Sequence, residues 1–259
     1  MMHSIWTAAT GMQAQQMRID AIANNLANVN TTSYKKSQVD FQDLLYQAVQ
    51  APGVETAGMQ VGLGVRPSAI SKYHAQGNLQ VTNNPLDVAI DGFGFFQVTT
   101  TDSRVVGNTA YTRDGSFKIN NFGQLVTSSG LVVQPEINLG SATDVRIRED
   151  GAVFGRIAGT GPVTELGALQ LVSFPNPAGM MSIGNNLYMA TDAAGQRTGP
   201  AAGGSVGMGR VVQGALEASN VELVTEMVMM IATQKAYDTS SKAINVSDKM
   251  MESTNGLIR

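Results

Sequence analysis

The sequence predicts an α+β fold in which long N- and C-terminal heptad helices flank an antiparallel all-β middle. Glycine and proline are concentrated in that middle: 26 of the 28 glycines lie between Gly53 and Gly214, and all eight prolines lie between Pro52 and Pro200. Apolar residues recur with a stride of seven at both ends, and Asp-Gly pairs recur between them. Because glycine and proline interrupt helices and mark turns, the ends are predicted to be helical and the middle to be strands.

The N-terminal helix is predicted near residues 5–27. One position of the stride of seven is occupied by Ile5, Met12, Ile19 and Leu26. The position three residues later is occupied by Ala8, Gln15, Ile22 and Val29. This is an a/d seam with one polar member. A shorter amphipathic segment, residues 39–49, is predicted to continue this helical end.

The C-terminal helix is predicted near residues 220–254, with a capping box formed by Ser219 and Glu222. Its seam is an unbroken stride of seven: Leu223, Met230, Tyr237, Ile244 and Met251. Met227 joins this seam, but the equivalent positions further on are Gln234, Ser241 and Asp248, so the apolar stripe is narrow. The stripe is typical of a helix that packs against one partner helix.

The middle of the chain is predicted to be strands joined by tight turns. Asp-Gly pairs at 91–92, 114–115 and 150–151 favour turns with positive φ, and "FKINNFGQLV" predicts a hairpin. We expect four parts. They are an N-terminal helical part at 1–50, an inner β-rich region at 51–95 plus 181–214, an outer β domain at 96–180, and the C-terminal helix at 215–259.

The composition of the chain limits which partners and which cellular compartment can be expected. The net charge is −3 without a basic patch, which argues against a nucleic-acid partner. No apolar run approaches the roughly 20 residues of a membrane span, so no direct membrane insertion is expected. The start, "MMHSIWTAATGMQAQQ", lacks the basic and apolar regions of an ordinary secretory signal. We expect a cytoplasmic chain, or one exported by a route that removes no signal peptide.

No catalytic, metal-binding or cofactor-binding site is expected. Only His3 and His74 could supply imidazole, the sequence contains no G-x-S-x-G motif, and neither histidine has metal-ligand spacing. "GFGFFQ" lacks the third glycine of a dinucleotide loop. Carboxylate pairs such as Asp87 and Asp91 keep a carbohydrate-active enzyme open as an alternative, although any β protein of this size supplies such pairs and most of them are turn caps.

The helical ends instead predict an assembly interface. Their outer faces carry few charges, which is typical of helices that meet other protein on several sides. The clustered methionines of the last helix suit an adaptable contact, with core packing as the alternative. The predicted polymer-interface residues are Ile5, Met12, Ile19, Leu26, Leu223, Met227, Met230, Tyr237, Ile244 and Met251.

Asparagines at the end of the first helix predict a joint where the helical part gives way to β structure. Asn25, Asn28 and Asn30 lie within six residues of one another, and asparagine side chains can satisfy backbone groups where a helix breaks.

Four motifs resemble the bacterial flagellar basal-body rod and hook protein family. They cover both ends and much of the middle, and they occur in the family's order. The motifs are "ANNLANVNTTSYKK", "NPLDVAIDGFGFFQV", "YTRDGSFKINNFGQLVTSSGLVVQP" and "LEASNVELVTEMVMMIATQKAYDTSSKAINVSDKMM". Ser33-Tyr34 stands where the family usually has Gly-Phe, and the segment 48–63, which in the family is thought to set rod stiffness, looks shorter than in some relatives.

The resemblance implies a structural subunit, not an enzyme. It implies a homo-polymer that forms the distal rod, the rigid shaft that crosses the periplasm and transmits torque from motor to hook. Proximal rod proteins, hook protein, bushing-ring proteins and the flagellar type III export apparatus are the implied partners. The alternatives are a proximal rod or hook-like axial subunit, and a secreted β-rich binding module.

Overall fold

The computed structural model describes residues 2–50, 58–103, 105–140, 142–157 and 162–257. The chain divides into two compact units. Unit 1 contains the described residues of 2–29, 36–73 and 221–257, and unit 2 contains those of 30–35 and 74–220. The chain therefore leaves unit 1 after α1, contributes six residues to unit 2, and returns.

Unit 1 combines both terminal helices with two antiparallel ribbons. Its elements are α1 (Met2–Ala27), β1 (Ser37–Asp43), β2 (Tyr46–Gln50), β3 (Met59–Gly62), β4 (Val65–Lys72) and α2 (Leu223–Leu257). β1 pairs with β4 and β2 pairs with β3, and α1 packs against α2, β1 and β4. The two predicted terminal helices are confirmed.

The predicted helical continuation over residues 39–49 is wrong, because this segment forms β1 and β2. In β1 the half-buried Val39 and Phe41 alternate with the exposed Gln38 and Asp40, which is the two-residue period of a strand. The strand that pairs with β1 is β4, which lies further along the chain. A pattern of residues within 39–49 alone therefore could not predict this pairing.

The start of α2 also differs from its prediction. The helix begins at Leu223, so Glu222 lies just before the first turn rather than inside it. The carboxylate of Glu222 accepts a hydrogen bond from Thr225 Oγ1 at 2.8 Å. This hydrogen bond joins two side chains at the start of α2, and the capping box of Ser219 and Glu222 stays a prediction.

Unit 2 is built from antiparallel strands. These strands are β5 (Leu79–Val81), β6 (Val88–Asp91), β7 (Phe95–Thr99), β8 (Thr109–Thr112), β9 (Lys118–Ile119), β10 (Leu125–Val126), β11 (Val133–Gln134), β12 (Ala142–Ile147), β13 (Ala152–Ile157), β14 (Val163–Ala168), β15 (Gln170–Ser173), β16 (Met181–Gly184), β17 (Leu187–Met189), β18 (Thr198–Ala202), β19 (Arg210–Gln213) and β20 (Ala215–Glu217). Short 3-10 turns lie at Val106–Asn108, Pro177–Gly179 and Asp192–Ala194. The α+β fold class with an antiparallel middle is confirmed.

The largest sheet of unit 2 has seven strands in the described residues. Its order is β16-β17-β8-β7-β15-β18, with β11 on β7. A three-stranded sheet, β12-β13-β14, and the pairs β9–β10, β6–β19 and β5–β20 complete the unit. The large sheet includes strands from both sides of the expected boundary near 180. The four-part division of the chain stays a prediction, and residues 51–57 of the stiffness segment lie outside the described residues.

The core of unit 2 packs apolar side chains from β6, β7, β15 and their neighbours. Phe96, Leu169 and Leu171 are fully buried there, and the ring of Phe96 meets Phe117 edge-on at 5.1 Å between centroids. A second cluster gathers Phe95, Tyr111, Val172, Phe174, Met180, Tyr188 and Ala194. Unit 2 therefore has its own hydrophobic core.

The three Asp-Gly pairs use glycine in two ways. Gly92 and Gly151 have positive φ, at 113° and 87°, as predicted. Gly115 is needed for space instead, because a Cβ placed on it would lie only 1.6 Å from the carbonyl oxygen of Val88. The helices in the described part of the chain lack the long apolar stretch that a membrane span requires.

Candidate assembly surfaces

The helices of unit 1 form an antiparallel pair. Ser4 Oγ lies 3.5 Å from Ser247 Oγ, and a Cβ placed on Gly11 would lie 3.7 Å from Ser240 Oγ. Each heptad step forward along α1 therefore meets a heptad step back along α2. Asn25, two heptads beyond Gly11, donates to Glu226, two heptads before Ser240, at 3.2 Å. The register is constant from end to end.

Most predicted interface residues lie half-buried along the two helices. In α1 these are Ile5, Met12, Ile19 and Leu26, and in α2 they are Met230, Tyr237, Ile244 and Met251. Leu223 and Met227 are instead exposed. Small and polar residues, including the buried Thr233, alternate with the apolar positions of α2. The role of these residues in a polymer stays a prediction.

A second apolar surface lies on the side of α2 that α1 does not cover. We call Leu223, Val224, Met227, Val228 and Ile231 the outer face of α2. Val224 is 66% exposed, Val228 61% and Ile231 58%. These grouped, exposed apolar side chains make the outer face of α2 a candidate protein–protein interface.

Sequence reasoning missed Val224, Val228 and Ile231, although a signal was present. Residues 227–232 are an unbroken apolar run, MVMMIA. A helix that is apolar on every side cannot bury all of them against one partner helix, so part of the run must face something else.

Asn25 joins three segments of unit 1. Its Nδ2 donates to the Ser37 carbonyl at 2.9 Å, and its Oδ1 accepts from the Ser37 amide at 2.8 Å. The same Nδ2 donates to Glu226. Asn28 donates to the Asn24 carbonyl at 2.9 Å, at the end of α1, and Asn30 is exposed. The assignment of these asparagines as a helix-to-β joint stays a prediction.

Unit 2 contains a buried ion cluster that the sequence did not indicate. Glu217 accepts from Lys35 Nζ through one carboxylate oxygen and from Arg113 Nε, at 2.9 Å, through the other. Lys35 also donates to the Ala75 carbonyl at 2.8 Å, and Arg113 to the Gly92 carbonyl at 2.8 Å. All three charged side chains are at least 97% buried. One carboxylate therefore pairs with two basic side chains inside the unit.

The environment of Lys35 disfavours its charged form. Burial lowers the pKa of Lys35, and the nearby Arg113 lowers it further, while Glu217 opposes both. Lys35 belongs to residues 30–35, the six-residue N-terminal segment of unit 2. The cluster therefore holds this segment in place, and its integrity depends on Glu217.

Ser33, in the same segment, adopts a backbone conformation that favours glycine. Its φ is 55°, and its Oγ donates to the Arg113 carbonyl at 2.8 Å. We expect the free energy of unfolding of Ser33→Gly to exceed that of Ser33→Ala by about 1 kcal/mol. Both variants lose the hydrogen bond, but only the alanine variant keeps the strain of the left-handed backbone conformation. Equal stabilities in urea titrations would contradict this explanation.

Tyr188 makes unit 2 sensitive to alkali. Burial raises the pKa of its phenol, and the nearby Tyr34 and Glu217 raise it further, while Arg113 opposes them. Above about pH 10 the unfolded chain loses a proton that the folded unit retains, so the free energy of unfolding should fall by up to about 1.4 kcal/mol per pH unit. Tyr188→Phe should make the free energy of unfolding fall less steeply between pH 10 and 11. Tyr73→Phe, at an exposed tyrosine, should leave this slope unchanged.

The candidate catalytic residues serve local structure. Asp87 accepts from Thr82 Oγ1 at 2.6 Å and from Asn84 Nδ2 at 2.9 Å, as a turn cap does. Asp91 pairs with Arg210 at 2.9 Å on the surface, and His74 packs edge-on against aromatic rings. Within the described residues, no three His, Cys, Asp or Glu side chains are arranged to hold a metal ion.

Comparisons with known proteins match the chain at both ends and in the middle. Residues 5–35 match the family described as flagella basal body rod protein. Residues 89–155 match the flagellar hook protein FlgE/F/G D1 domain, and residues 212–257 match the flagellar basal body rod FlgEFG protein C-terminal family. The matched regions include most of α1 and α2.

Proteins named flagellar basal-body rod protein FlgG are similar over nearly the full length. The protein of Borreliella burgdorferi is 44% identical, and the alignment covers 100% of each chain. That of Buchnera aphidicola subsp. Baizongia pistaciae is 44% identical over 97% of this chain and 98% of its own. That of Caulobacter vibrioides is 39% identical over 99% of each.

Two terminal helices with an uncovered apolar face, joined to a β unit, define a structural subunit. The chain belongs to the family of flagellar basal-body rod and hook proteins. The predicted function, a structural subunit of the flagellar distal rod, is confirmed by these relatives. The family implies self-polymerisation and a place in the rod of the basal body.

Proposed function

We propose that copies of this subunit polymerise through their terminal helices into a rigid shaft that transmits torque. In each copy α1 and α2 act as a coiled-coil-like pair, and pairs from neighbouring copies pack side by side. The predicted interface residues fall into two groups in this proposal. Leu223 and Met227 meet neighbouring copies, and the half-buried seam residues hold the pair in the shape that neighbours recognise.

The exposed outer face of α2 carries the proposal. Fully burying a valine or isoleucine side chain contributes about 1.5–3 kcal/mol, so Val224, Val228 and Ile231 together supply a useful contact. A single such contact is too small to hold two proteins together against the cost of association. Repetition around and along a filament multiplies it, which gives stiffness from individually weak contacts.

The β2–β3 ribbon offers a further apolar surface on unit 1. Leu45 is 82% exposed, and Tyr46, Met59 and Val61 are exposed beside it. This ribbon overlaps the segment 48–63, and we assign to it contacts between subunits that resist bending of the shaft. An isolated two-stranded ribbon is marginally stable in water, so such contacts would also stabilise the ribbon itself.

The remaining assignments follow from the family. The shaft crosses the periplasm, meets proximal rod proteins and hook protein at its ends, and turns inside the bushing rings. The flagellar export apparatus delivers the subunits. Asn25, Asn28 and Asn30 mark the joint where the helical part ends. The protein carries out no reaction in this proposal.

Concentration-dependent assembly of the purified full chain tests the proposal. We expect sedimentable polymer above a critical concentration and straight particles by electron microscopy. Curved particles would favour the hook-like alternative. A chain that remains monomeric at every concentration, with both terminal helices as resistant to trypsin as unit 2, would instead support a binding module and contradict polymerisation.

A further inference from the structure

A groove in unit 1 has the dimensions and chemistry of a receptor for a helix. It runs beside α1 and has a volume of about 280 Å³. Its lining residues are Met17, Asp20, Ala21 and Asn24 of α1, Ser37 of β1 and Ile70 of β4. Ile70 is 60% exposed, although it is a large apolar residue. We call these six residues the α1–β4 groove.

The outer face of α2 matches this groove in length. Val224, Val228 and Ile231 follow each other at intervals of four and three residues, so they form one ridge. The groove wall from Met17 to Asn24 spans the same seven-residue interval of α1. Each interval measures roughly 10 Å along a helix. A ridge of this spacing fits between residues on a facing helix in the usual packing of helices.

Charge is complementary at one end of the match. Lys235 follows Ile231 by one helical turn, is exposed, and has no ion-pair partner among the described residues. Asp20 is exposed in the groove and accepts a hydrogen bond only from Gln16, at 3.1 Å, among the described contacts. An Asp20–Lys235 pair would orient the ridge and exclude the reversed direction.

The ridge that fills the groove must come from another copy. Within one chain the seam of α2 faces α1, so the outer face points away from α1 and from its groove. Ridge and groove are different surfaces of the same subunit. A contact between two different surfaces does not satisfy itself in a dimer, and repeated without closure it generates an open filament.

We propose that the outer face of α2 in one copy docks into the α1–β4 groove of a second copy. Val224, Val228 and Ile231 lie against Met17, Ala21 and Ile70, and Lys235 pairs with Asp20. This assignment rests on the proposed polymerisation and specifies which two surfaces meet.

Cysteine cross-linking tests the docking directly, because the natural chain contains no cysteine. Full-length Asp20→Cys and Lys235→Cys proteins are mixed under assembling conditions and treated with a short bismaleimide. Only contact between two copies can link this mixture. We expect a covalent dimer of the two variants in at least about tenfold higher yield than with Lys249→Cys, which lies on the same side of α2 but roughly 21 Å further along.

Charge exchange supplies a second readout. Asp20→Lys should raise the critical concentration by about threefold, and the double variant Asp20→Lys/Lys235→Asp should restore it, since the pair is recreated with reversed signs. Loss of folding cannot imitate this rescue.

The outcomes separate the docking from polymerisation itself. Selective cross-linking with charge rescue supports the docking. Polymer that forms normally, without selective cross-linking or rescue, would show that other surfaces meet and overturn the docking alone. If the natural chain forms no polymer and the mixture no cross-link, the proposed polymerisation fails and the docking fails with it.

Discussion

Glu217→Gln is expected to destabilise unit 2 by about 3–5 kcal/mol, because it leaves two buried cations without their shared anion. Lys35 and Arg113 both depend on this carboxylate, and burial already disfavours the charge of Lys35. A loss of this size is a large part of the 5–15 kcal/mol that stabilises a typical domain. Urea denaturation, followed by the near-ultraviolet signal of the buried tyrosines in unit 2, measures it.

Two comparisons make this expectation specific. Arg146→Gln removes an ion pair on the surface of the same unit, Arg146–Asp144 at 3.4 Å, and should leave the denaturation midpoint nearly unchanged. In Lys35→Met/Glu217→Gln the cost should be smaller than the sum of the single costs, because one stranded cation is gone. Additive costs would mean that the three side chains do not act as a cluster.

Val228→Asp is expected to raise the critical concentration for assembly by about 100-fold or to abolish polymer. The change removes an apolar contact and places a carboxylate where the proposal buries the outer face of α2, at a cost of about 3 kcal/mol for each contact. Residue 228 is exposed in the subunit, so the folded monomer should survive. Sedimentation at a series of concentrations gives the critical concentration.

Val206→Asp is the matched control for charge. Val206 lies in a loop of unit 2 and is fully exposed, so aspartate there changes the net charge equally without touching either helix. Its critical concentration should stay within about twofold of the natural chain. If both variants assembled equally well, the outer face of α2 would not be the contact.

The sequence predicted those parts of the fold that depend on local patterns. The heptad stride of each end is a local pattern, and the helices α1 and α2 form where it predicts helix. β1 was mistaken for helix because its strand partner, β4, cannot be inferred from residues 37–43 alone. The alternation of Gln38, Val39, Asp40 and Phe41 was the available signal, but the segment is short.

The ion cluster illustrates a harder limit. Lys35 and Glu217 are 182 residues apart in sequence, and each on its own resembles an ordinary surface charge. Only the folded chain brings them together with Arg113. The exposed outer face of α2 was missed for a different reason: the heptad pattern predicts a face that packs against another helix, and it does not show that Val224, Val228 and Ile231 stay uncovered.

Thiol labelling at position 228 shows whether the outer face of α2 becomes buried on assembly. The single cysteine of Val228→Cys is alkylated in the monomer and in sedimented polymer, with Val206→Cys as the reference. We expect the alkylation rate of the cysteine at position 228 to be lower in the polymer than in the monomer by about tenfold or more. The rate at position 206 should be the same in both states. Equal labelling at 228 in both states would contradict it.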